Sequence, residues 1–291
     1  MNARVWIDAA RPKTLGASIA PVLLGSALAS RSQHHDPFIT VLILVAALAI
    51  QVGTNFCNDY CDWRRGADLN RVGPIRATQA GLVSPQAMKI AATRAFVLAV
   101  IVGTLLVWRG GVPILAIGLM SIACGALYTA GPYPLAYIGM GDLFVLIFFG
   151  PIAVAGTYYL HARAWSQEAW VLGLMPGFLS VAILVVNNLR DRESDRIARK
   201  RTLVVLFGEK FGRLEYALCL AISAAIILYF QQTLGVIGAL CVITILVGGG
   251  FVLTLGVLNS RGSDLNRLLP ATNMLLLVTS LLTAIFLVHP V

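Results

Sequence analysis

The chain has 291 residues, of which 58% are hydrophobic and 12% are charged, and its mean hydropathy is +0.82. A water-soluble domain carries about 25% charged residues, so this composition excludes a soluble protein and indicates an integral membrane protein. The formal net charge of +9 does not favour nucleic-acid binding, because the basic residues flank apolar segments and do not form a soluble basic face.

Long apolar stretches predict nine transmembrane helices, since one span needs about 20 apolar residues. Gly110–Gly141 is longer than one span and ends in a loop rich in Gly, Pro and Tyr, and Tyr216–Ser260 holds two spans separated near Gln231. The other six spans are Thr14–Ser30, Phe38–Phe56, Pro85–Trp108, Asp142–His161, Ala169–Leu189 and Leu268–Val288. We therefore expect an all-α, polytopic membrane protein.

The distribution of basic residues predicts the topology. If the N-terminus is cytoplasmic and nine helices alternate, 19 of the 22 basic residues lie on the cytoplasmic side, in agreement with the positive-inside rule. The far side then holds only Arg31, Arg109 and Arg163. We expect a multi-pass protein of the inner (plasma) membrane whose N-terminus is cytoplasmic.

Two polar phrases interrupt the apolar sequence, each at the end of a predicted span. The first runs from Asn58 to Asp62 and the second from Asn187 to Asp191, and the same offset of 129 residues separates both their starts and their ends. This repeat predicts two four-helix halves and an added ninth helix, in one domain that covers residues 1–291. Such repeats commonly bring their polar segments together at one membrane-embedded site.

Carboxylates are concentrated in and just after these two phrases. They are Asp59, Asp62, Asp68, Asp191 and Asp195, in a chain with only 13 acidic residues. Clustered carboxylates are what hard divalent cations need, and Mg²⁺ typically uses a few of them plus substrate phosphates. Basic residues alternate with them, which favours a polyphosphate held by metal on one side and by guanidinium or ammonium groups on the other. A salt-bridge network or helix caps are the simpler alternatives, although a cap needs only one Asn or Asp per helix.

The two motifs resemble those of the UbiA-type intramembrane aromatic prenyltransferases. The segment from Asn58 to Asp68 looks like N-D-Y-x-D-x-x-x-G-x-D, the form found in the branch that prenylates 1,4-dihydroxy-2-naphthoate in menaquinone synthesis. Gly66 takes a position that is Asp in much of the family. The segment from Asn187 to Leu203 is similar to N-N-x-R-D-x-x-x-D-x-x-x-x-K-R-T-L of the same branch. The resemblance spans about residues 11–205 and includes shorter phrases at 11–15, 127–132 and 139–142.

The resemblance implies a Mg²⁺-dependent transferase that acts on a polyprenyl diphosphate and an aromatic acid within the lipid bilayer. The implied catalytic carboxylates, which also bind the metal, are Asp59, Asp62, Asp191 and Asp195, with Asp68 as a further metal ligand. The side chains implied to contact the substrates are Lys13, Asn58, Arg64, Arg76, Tyr128, Tyr137, Asn187, Lys200 and Arg201. Many family members carry a lysine four residues after a tyrosine in the loop between helices 4 and 5, where this chain has Tyr137 after Tyr133.

The expected reaction is prenylation of 1,4-dihydroxy-2-naphthoate with loss of CO₂ and diphosphate, giving demethylmenaquinol, at a site on the cytoplasmic face. Another aromatic acceptor, such as 4-hydroxybenzoate or homogentisate, is the alternative within the family. A transporter of an anionic metabolite is a further alternative. It would be expected to carry charges near the middle of the bilayer, whereas these charges cluster at one face.

Overall fold

A computed structural model of the chain describes residues 3–67 and 72–291, and every regular element in these ranges is helical. The first seven helices are α1 (Ala3–Ala10), α2 (Gly16–Arg31), α3 (Pro37–Arg64), α4 (Pro85–Gly110), α5 (Val112–Leu127), α6 (Gly141–Phe148) and α7 (Pro151–Ala162). The other six are α8 (Gln167–Ile197), α9 (Leu203–Phe207), α10 (Glu209–Tyr229), α11 (Gln231–Leu234), α12 (Val236–Asn259) and α13 (Leu268–Val288). Short 3₁₀ helices form at Pro12–Thr14, Leu135–Tyr137 and Gly262–Arg267. The expected all-α membrane fold is confirmed.

The number of spans differs from the expected nine. Among the described residues, seven helical segments are long and apolar enough to cross a membrane, with α6 and α7 together forming one of them. The pair Ala3–Thr14 and Gly16–Arg31, bent by 53°, makes an eighth if it counts as one span. The remaining expected span corresponds to α5, which has 16 residues. It is about 24 Å long, against a hydrocarbon core of about 30 Å, so a count of nine is not confirmed.

Helices α3 and α4 begin where their sequences provide a cap. The side chain of Asp36 accepts a hydrogen bond from the Phe38 backbone N–H before α3, and Ser84 does the same for Ala87 before α4. In both helices a proline follows the cap in the first turn, where its missing N–H costs no helical hydrogen bond. The start of α3 is therefore fixed locally, and the end of this helix carries the first motif.

Helix α8, which ends in the second motif, is the central helix of the fold. It packs against α6, α7, α10 and α13, and its buried side chains belong to the main hydrophobic core. Glycines allow the break between α6 and α7 to cross α8 at backbone distance. A Cβ atom on Gly173 would lie 2.6 Å from the Pro151 Cα, and one on Gly177 would lie 2.7 Å from the Leu146 carbonyl oxygen. Small residues four apart are typical of such close packing in membranes.

Candidate active site

A cavity of about 930 Å³ extends from the two motifs into the helix bundle. Along α3 its wall runs from Ile43 to Asp62, a distance of about 28 Å at 1.5 Å per residue. The lining residues of α3 recur at helical spacing: Ile43, Ala46, Ala47, Ile50, Gln51, Thr54, Asn55, Asn58, Asp59 and Asp62. The deep wall is mostly apolar, and the charged end, which we call the mouth, is formed by Asp59, Asp62, Arg76, Asp191, Asp195 and Lys200.

Most of the residues predicted from the sequence line this cavity. They are Lys13, Asn58, Asp59, Asp62, Arg76, Tyr128, Asn187, Asp191, Asp195 and Lys200. Tyr137 contacts Asp62 without lining the cavity. Arg64 and Arg201 are exposed residues that do not line it. Asp68 lies outside the described residues.

Asp59 fixes the linker between α3 and α4. Its two carboxylate oxygens accept hydrogen bonds from the backbone N–H groups of Ala77, at 3.1 Å, and Thr78, at 3.0 Å. These bonds hold the segment that follows Arg76, whose guanidinium nitrogen lies 3.8 Å from the Asp62 carboxylate. Asp59 therefore positions a basic side chain of the linker at the mouth.

Asp62 is the carboxylate at which three other segments meet. Its Oδ1 accepts a hydrogen bond from the Tyr137 hydroxyl at 3.2 Å. Its Oδ2 lies 3.3 Å from the Lys200 Nζ and 3.8 Å from the Arg76 guanidinium. The Asp62 side chain is 2% exposed, so its charge depends on these partners and not on water.

Tyr137, in the segment between α5 and α6, donates a hydrogen bond to Asp62. Burial first, and then the nearby Asp62 carboxylate, raise the pKa of the Tyr137 phenol above its ordinary value, because both disfavour the phenolate. The phenol therefore remains a hydrogen-bond donor to Asp62. The guanidinium of Arg65 and the ammonium of Lys200 lie 4.9 Å and 5.2 Å from the centre of its ring, within the range of cation–π attraction.

In the second motif, Arg190 binds the carboxylate of its neighbour. Its Nε and Nη2 atoms donate to the two oxygens of Asp191 at 2.8 Å and 2.6 Å, a bidentate pair. Nη2 also lies 2.6 Å from the Asn187 Oδ1, and Nη1 lies 3.2 Å from the Asn266 Oδ1. The linker covers this guanidinium closely, since a Cβ atom on Gly73 would lie 2.7 Å from its Nη2.

Lys200 connects the two motifs. Its Nζ lies 3.3 Å from Asp62 on α3 and 3.5 Å from Asp195 on α8. The two motif amides act as hydrogen-bond acceptors. The Asn58 Oδ1 accepts from the Thr129 hydroxyl at 2.7 Å, and the Asn187 Oδ1 accepts from Arg190. The expected meeting of the two polar phrases is thus present in the described structure.

The two motifs differ in their last acidic position because their helices end at different points. At the offset of 129 residues, Asp62 corresponds to Asp191, whereas Asp195 corresponds to Gly66. Helix α3 ends just before Gly66, which has a φ of +67°, and this left-handed conformation favours glycine. Helix α8 continues to Ile197, so position 195 is helical and can carry a carboxylate on the cavity face.

The donor atoms at the mouth fit a hard divalent cation. They are carboxylate oxygens, which Mg²⁺ prefers. Among residues 3–67 and 72–291, no group of three or more His, Cys, Asp or Glu side chains lies close enough together to hold a metal ion by itself. The protein would therefore supply part of a coordination shell, and phosphate oxygens and water would complete it, as is usual for Mg²⁺.

Several lining residues are absent from the sequence-based site. They include Asp8, Arg11, Asn188, Arg190 and Asn266. Asn188 and Arg190 lie inside the second motif, so their position in that motif was a usable signal. Asn266 is 76 residues from Arg190 in the chain, and only the fold brings the two together.

The chain matches the model of the UbiA prenyltransferase family over residues 18–277. It is 38% identical to the 1,4-dihydroxy-2-naphthoate octaprenyltransferase of Escherichia coli K12 over 232 residues. The aligned region covers 77% of this chain and 75% of that protein. It is 37% identical over 221 residues to the protein of the same name from Mycobacterium tuberculosis, with 76% of each chain covered.

The fold resembles a solved structure of a UbiA homolog from Archaeoglobus fulgidus bound to DMAPP and Mg²⁺, with a TM-score of 0.70 and 14% identity over 98% of this chain and 99% of that one. An apo structure of a UbiA homolog from Aeropyrum pernix K1 has a TM-score of 0.67 and 14% identity over 90% of this chain and 96% of that one. At such identities the likeness concerns the fold alone. The family match over residues 18–277 and the sequence identities over most of the chain show that the protein belongs to the UbiA prenyltransferase family.

Proposed function

We propose that the protein transfers a polyprenyl group from a polyprenyl diphosphate to 1,4-dihydroxy-2-naphthoate, releasing CO₂ and diphosphate and giving demethylmenaquinol. The observation that carries the proposal is the mouth, where two carboxylate motifs and basic side chains meet above an apolar cavity. The relatives named as 1,4-dihydroxy-2-naphthoate octaprenyltransferases support the choice of acceptor. We treat residues 1–291 as a single transmembrane prenyltransferase domain.

The diphosphate head of the donor binds at the mouth in this proposal. Asp59, Asp62, Asp191 and Asp195, with Asp68 from outside the described residues, would each supply part of the coordination of Mg²⁺ ions, which would act as Lewis acids on the diphosphate. Lys200 and Arg76 offset the charge that grows on the diphosphate as the allylic C–O bond breaks, and Arg201 adds to the basic surroundings. Fixed charges aimed at developing charge are usually the largest contribution to catalysis.

The electron pair of the broken C–O bond leaves with the diphosphate, and the allylic carbon forms a bond to the ring carbon that carries the carboxylate. The bond between that ring carbon and the carboxylate then breaks, CO₂ leaves, and its electron pair restores the aromatic ring. The aromatic ring of Tyr128, which lines the cavity, would stabilise the allylic cation by cation–π attraction. The amides Asn58 and Asn187 keep the neighbouring loop and Arg190 in place.

The carboxylate of the acceptor needs a cation of its own at the mouth. Of the five basic residues expected at the site, Lys13 and Arg64 are the two without a role at the diphosphate, and Lys13 lines the cavity while Arg64 does not. The two residues differ because Arg64 follows Asp62 by two positions, which places it about 200° around the helix from Asp62. We therefore favour Lys13 as the partner of the acceptor carboxylate.

The acceptor is tested with purified protein, Mg²⁺, a labelled polyprenyl diphosphate and naphthoate carrying ¹³C in its carboxyl group. The expected result is a prenylated quinol without ¹³C, together with ¹³CO₂. Lys13→Met should raise the KM for the naphthoate by about tenfold, equivalent to one charge-assisted hydrogen bond, with little change in the KM for the diphosphate. Lys89→Met, which removes an exposed lysine at the start of α4, is the matched control. Retention of ¹³C in the product, or prenylation of 4-hydroxybenzoate alone, would refute the proposed acceptor.

We also propose that the N-terminus and the mouth face the cytoplasm across the inner (plasma) membrane. The excess of basic residues around the mouth supports this orientation. Single cysteines at His34 and Arg196, both exposed, test it in a background without other cysteines. A membrane-impermeant thiol reagent should label His34→Cys in intact cells and Arg196→Cys only after permeabilisation. The reverse pattern would invert the topology.

A further inference from the structure

We propose that Lys200 is an internal counter-ion for the metal site, and that it makes binding of a divalent cation conditional on the diphosphate. In the structure the ammonium group lies between Asp62 and Asp195. When a diphosphate arrives, the ammonium moves to its oxygens and the two carboxylates become available to the metal. This inference rests on the proposed function for the identity of the anion and extends it to the order of binding.

The position of the ammonium group is the first observation. Its Nζ lies 3.3 Å from Asp62 and 3.5 Å from Asp195, which belong to different helices and different motifs. The Lys200 side chain is 11% exposed, and the two carboxylate side chains are 2% and 10% exposed. The Lys200 ammonium therefore sits between the carboxylates in a largely dehydrated setting, where charge interactions are stronger than in water.

The backbone on both sides of Lys200 is fixed, which is the second observation. Arg199 has a left-handed φ of 58°, and the Lys200 N–H donates to the Asp195 carbonyl oxygen at 2.8 Å. The Arg201 N–H donates to the Tyr137 carbonyl oxygen at 3.2 Å. The root of the side chain is thus held in place, while the flexible four-carbon stem of a lysine allows its ammonium to change partner without a change in the fold.

The positive groups beside Asp62 and Asp195 oppose the binding of a divalent cation. Asp62 also lies 3.8 Å from Arg76, so a divalent cation that approaches Asp62 and Asp195 meets two positive groups. Mg²⁺ gives up its water reluctantly, and it gains little from carboxylates that are already paired. A diphosphate brings several negative charges and offers the ammonium a stronger partner. Metal and diphosphate should therefore bind together and promote each other's binding, as linkage requires.

The inference is tested by metal binding, with Mn²⁺ as an EPR probe and the protein in lipid nanodiscs. The unreactive ligand is a polyprenyl thiolodiphosphate. Wild type should bind Mn²⁺ weakly alone and about tenfold or more tightly with the ligand present. Lys200→Met should bind Mn²⁺ alone about tenfold or more tightly than wild type, since one charge-assisted contact corresponds to that factor. Lys210→Met, which removes an exposed lysine outside the cavity, should behave as wild type.

Equal or weaker binding of Mn²⁺ alone by Lys200→Met would overturn the inference. If wild type still binds Mn²⁺ with the thiolodiphosphate in that case, the proposed function is unaffected. Absence of Mn²⁺ binding to wild type even with the ligand would overturn both the inference and the metal dependence of the proposed reaction. Lys200→Gln, which keeps a polar side chain in the buried position, provides a second reading if the methionine variant does not fold.

Discussion

Asp62→Asn should reduce prenyl transfer by about 10³-fold while leaving the protein inserted and folded. The substitution keeps the shape of the side chain but removes the charge that Lys200, Arg76 and Tyr137 all approach. The loss of one pre-organised electrostatic contact to the reacting groups typically costs 10²–10³-fold in rate, and the loss of a metal-binding charge places Asp62 at the upper end. The measurement is turnover of a labelled polyprenyl diphosphate. Chelation by EDTA should have the same effect on wild type.

Asp264→Asn is the matched control for this variant. Asp264 is an exposed carboxylate in the 3₁₀ helix Gly262–Arg267, and it does not line the cavity. Its amide variant should retain wild-type turnover. Undiminished turnover of Asp62→Asn, or of wild type in EDTA, would refute the metal-binding role of this carboxylate.

Gly173→Ala should lower the free energy of unfolding by about 1–3 kcal/mol, the usual cost of forcing additional volume into a well-packed interior. The new Cβ would lie 2.6 Å from the Pro151 Cα and 2.8 Å from the Pro151 backbone nitrogen. Both neighbours are backbone atoms, so no side-chain rotation can relieve the contact, and α8 must separate from the break between α6 and α7. Thermal unfolding in detergent, followed by loss of helical circular dichroism, measures the effect.

Gly248→Ala provides the comparison because it makes the same change in a membrane helix. A Cβ atom at Gly248 in α12 would meet no atom within 4 Å, and alanine favours a helix interior over glycine. This variant should be as stable as wild type or slightly more stable. Equal stability of the two variants would show that the crossing at Gly173 is not tightly packed.

The long apolar helices and the meeting of the two motifs could be predicted from sequence, for a physical reason in each case. Spans follow from the hydrophobic length that a bilayer requires. The repeat offset between Asp62 and Asp191 predicted that the two carboxylates take corresponding positions near the C-terminal ends of two helices, and both line the cavity. Helical periodicity also predicts the face of α3 from Ile43 to Asp62 that lines the cavity, and Arg64 lies off that face.

Contacts between segments distant in sequence could not be predicted in the same way. The hydrogen bonds of Asp59 to the linker, and of Arg190 to Asn266, depend on how loops fold back over the helix ends. The count of nine spans is not confirmed, for a different reason. Helix α5 has only 16 residues, because the apolar stretch Gly110–Gly141 also contains the loop that follows Leu127.

The cavity is charged at the mouth and mostly apolar along its depth, and this difference determines the direction in which the product leaves. In the proposed reaction the acceptor enters as an anion suited to the mouth, and it loses that charge in the same turnover in which it gains a long tail. Each buried methylene favours an apolar phase by about 0.8 kcal/mol, so a tail of several isoprene units outweighs the two remaining hydroxyl groups. The product therefore partitions away from the charged end of the cavity towards the bilayer, and the protein acts as a phase-transfer catalyst that moves a water-soluble acid into the membrane.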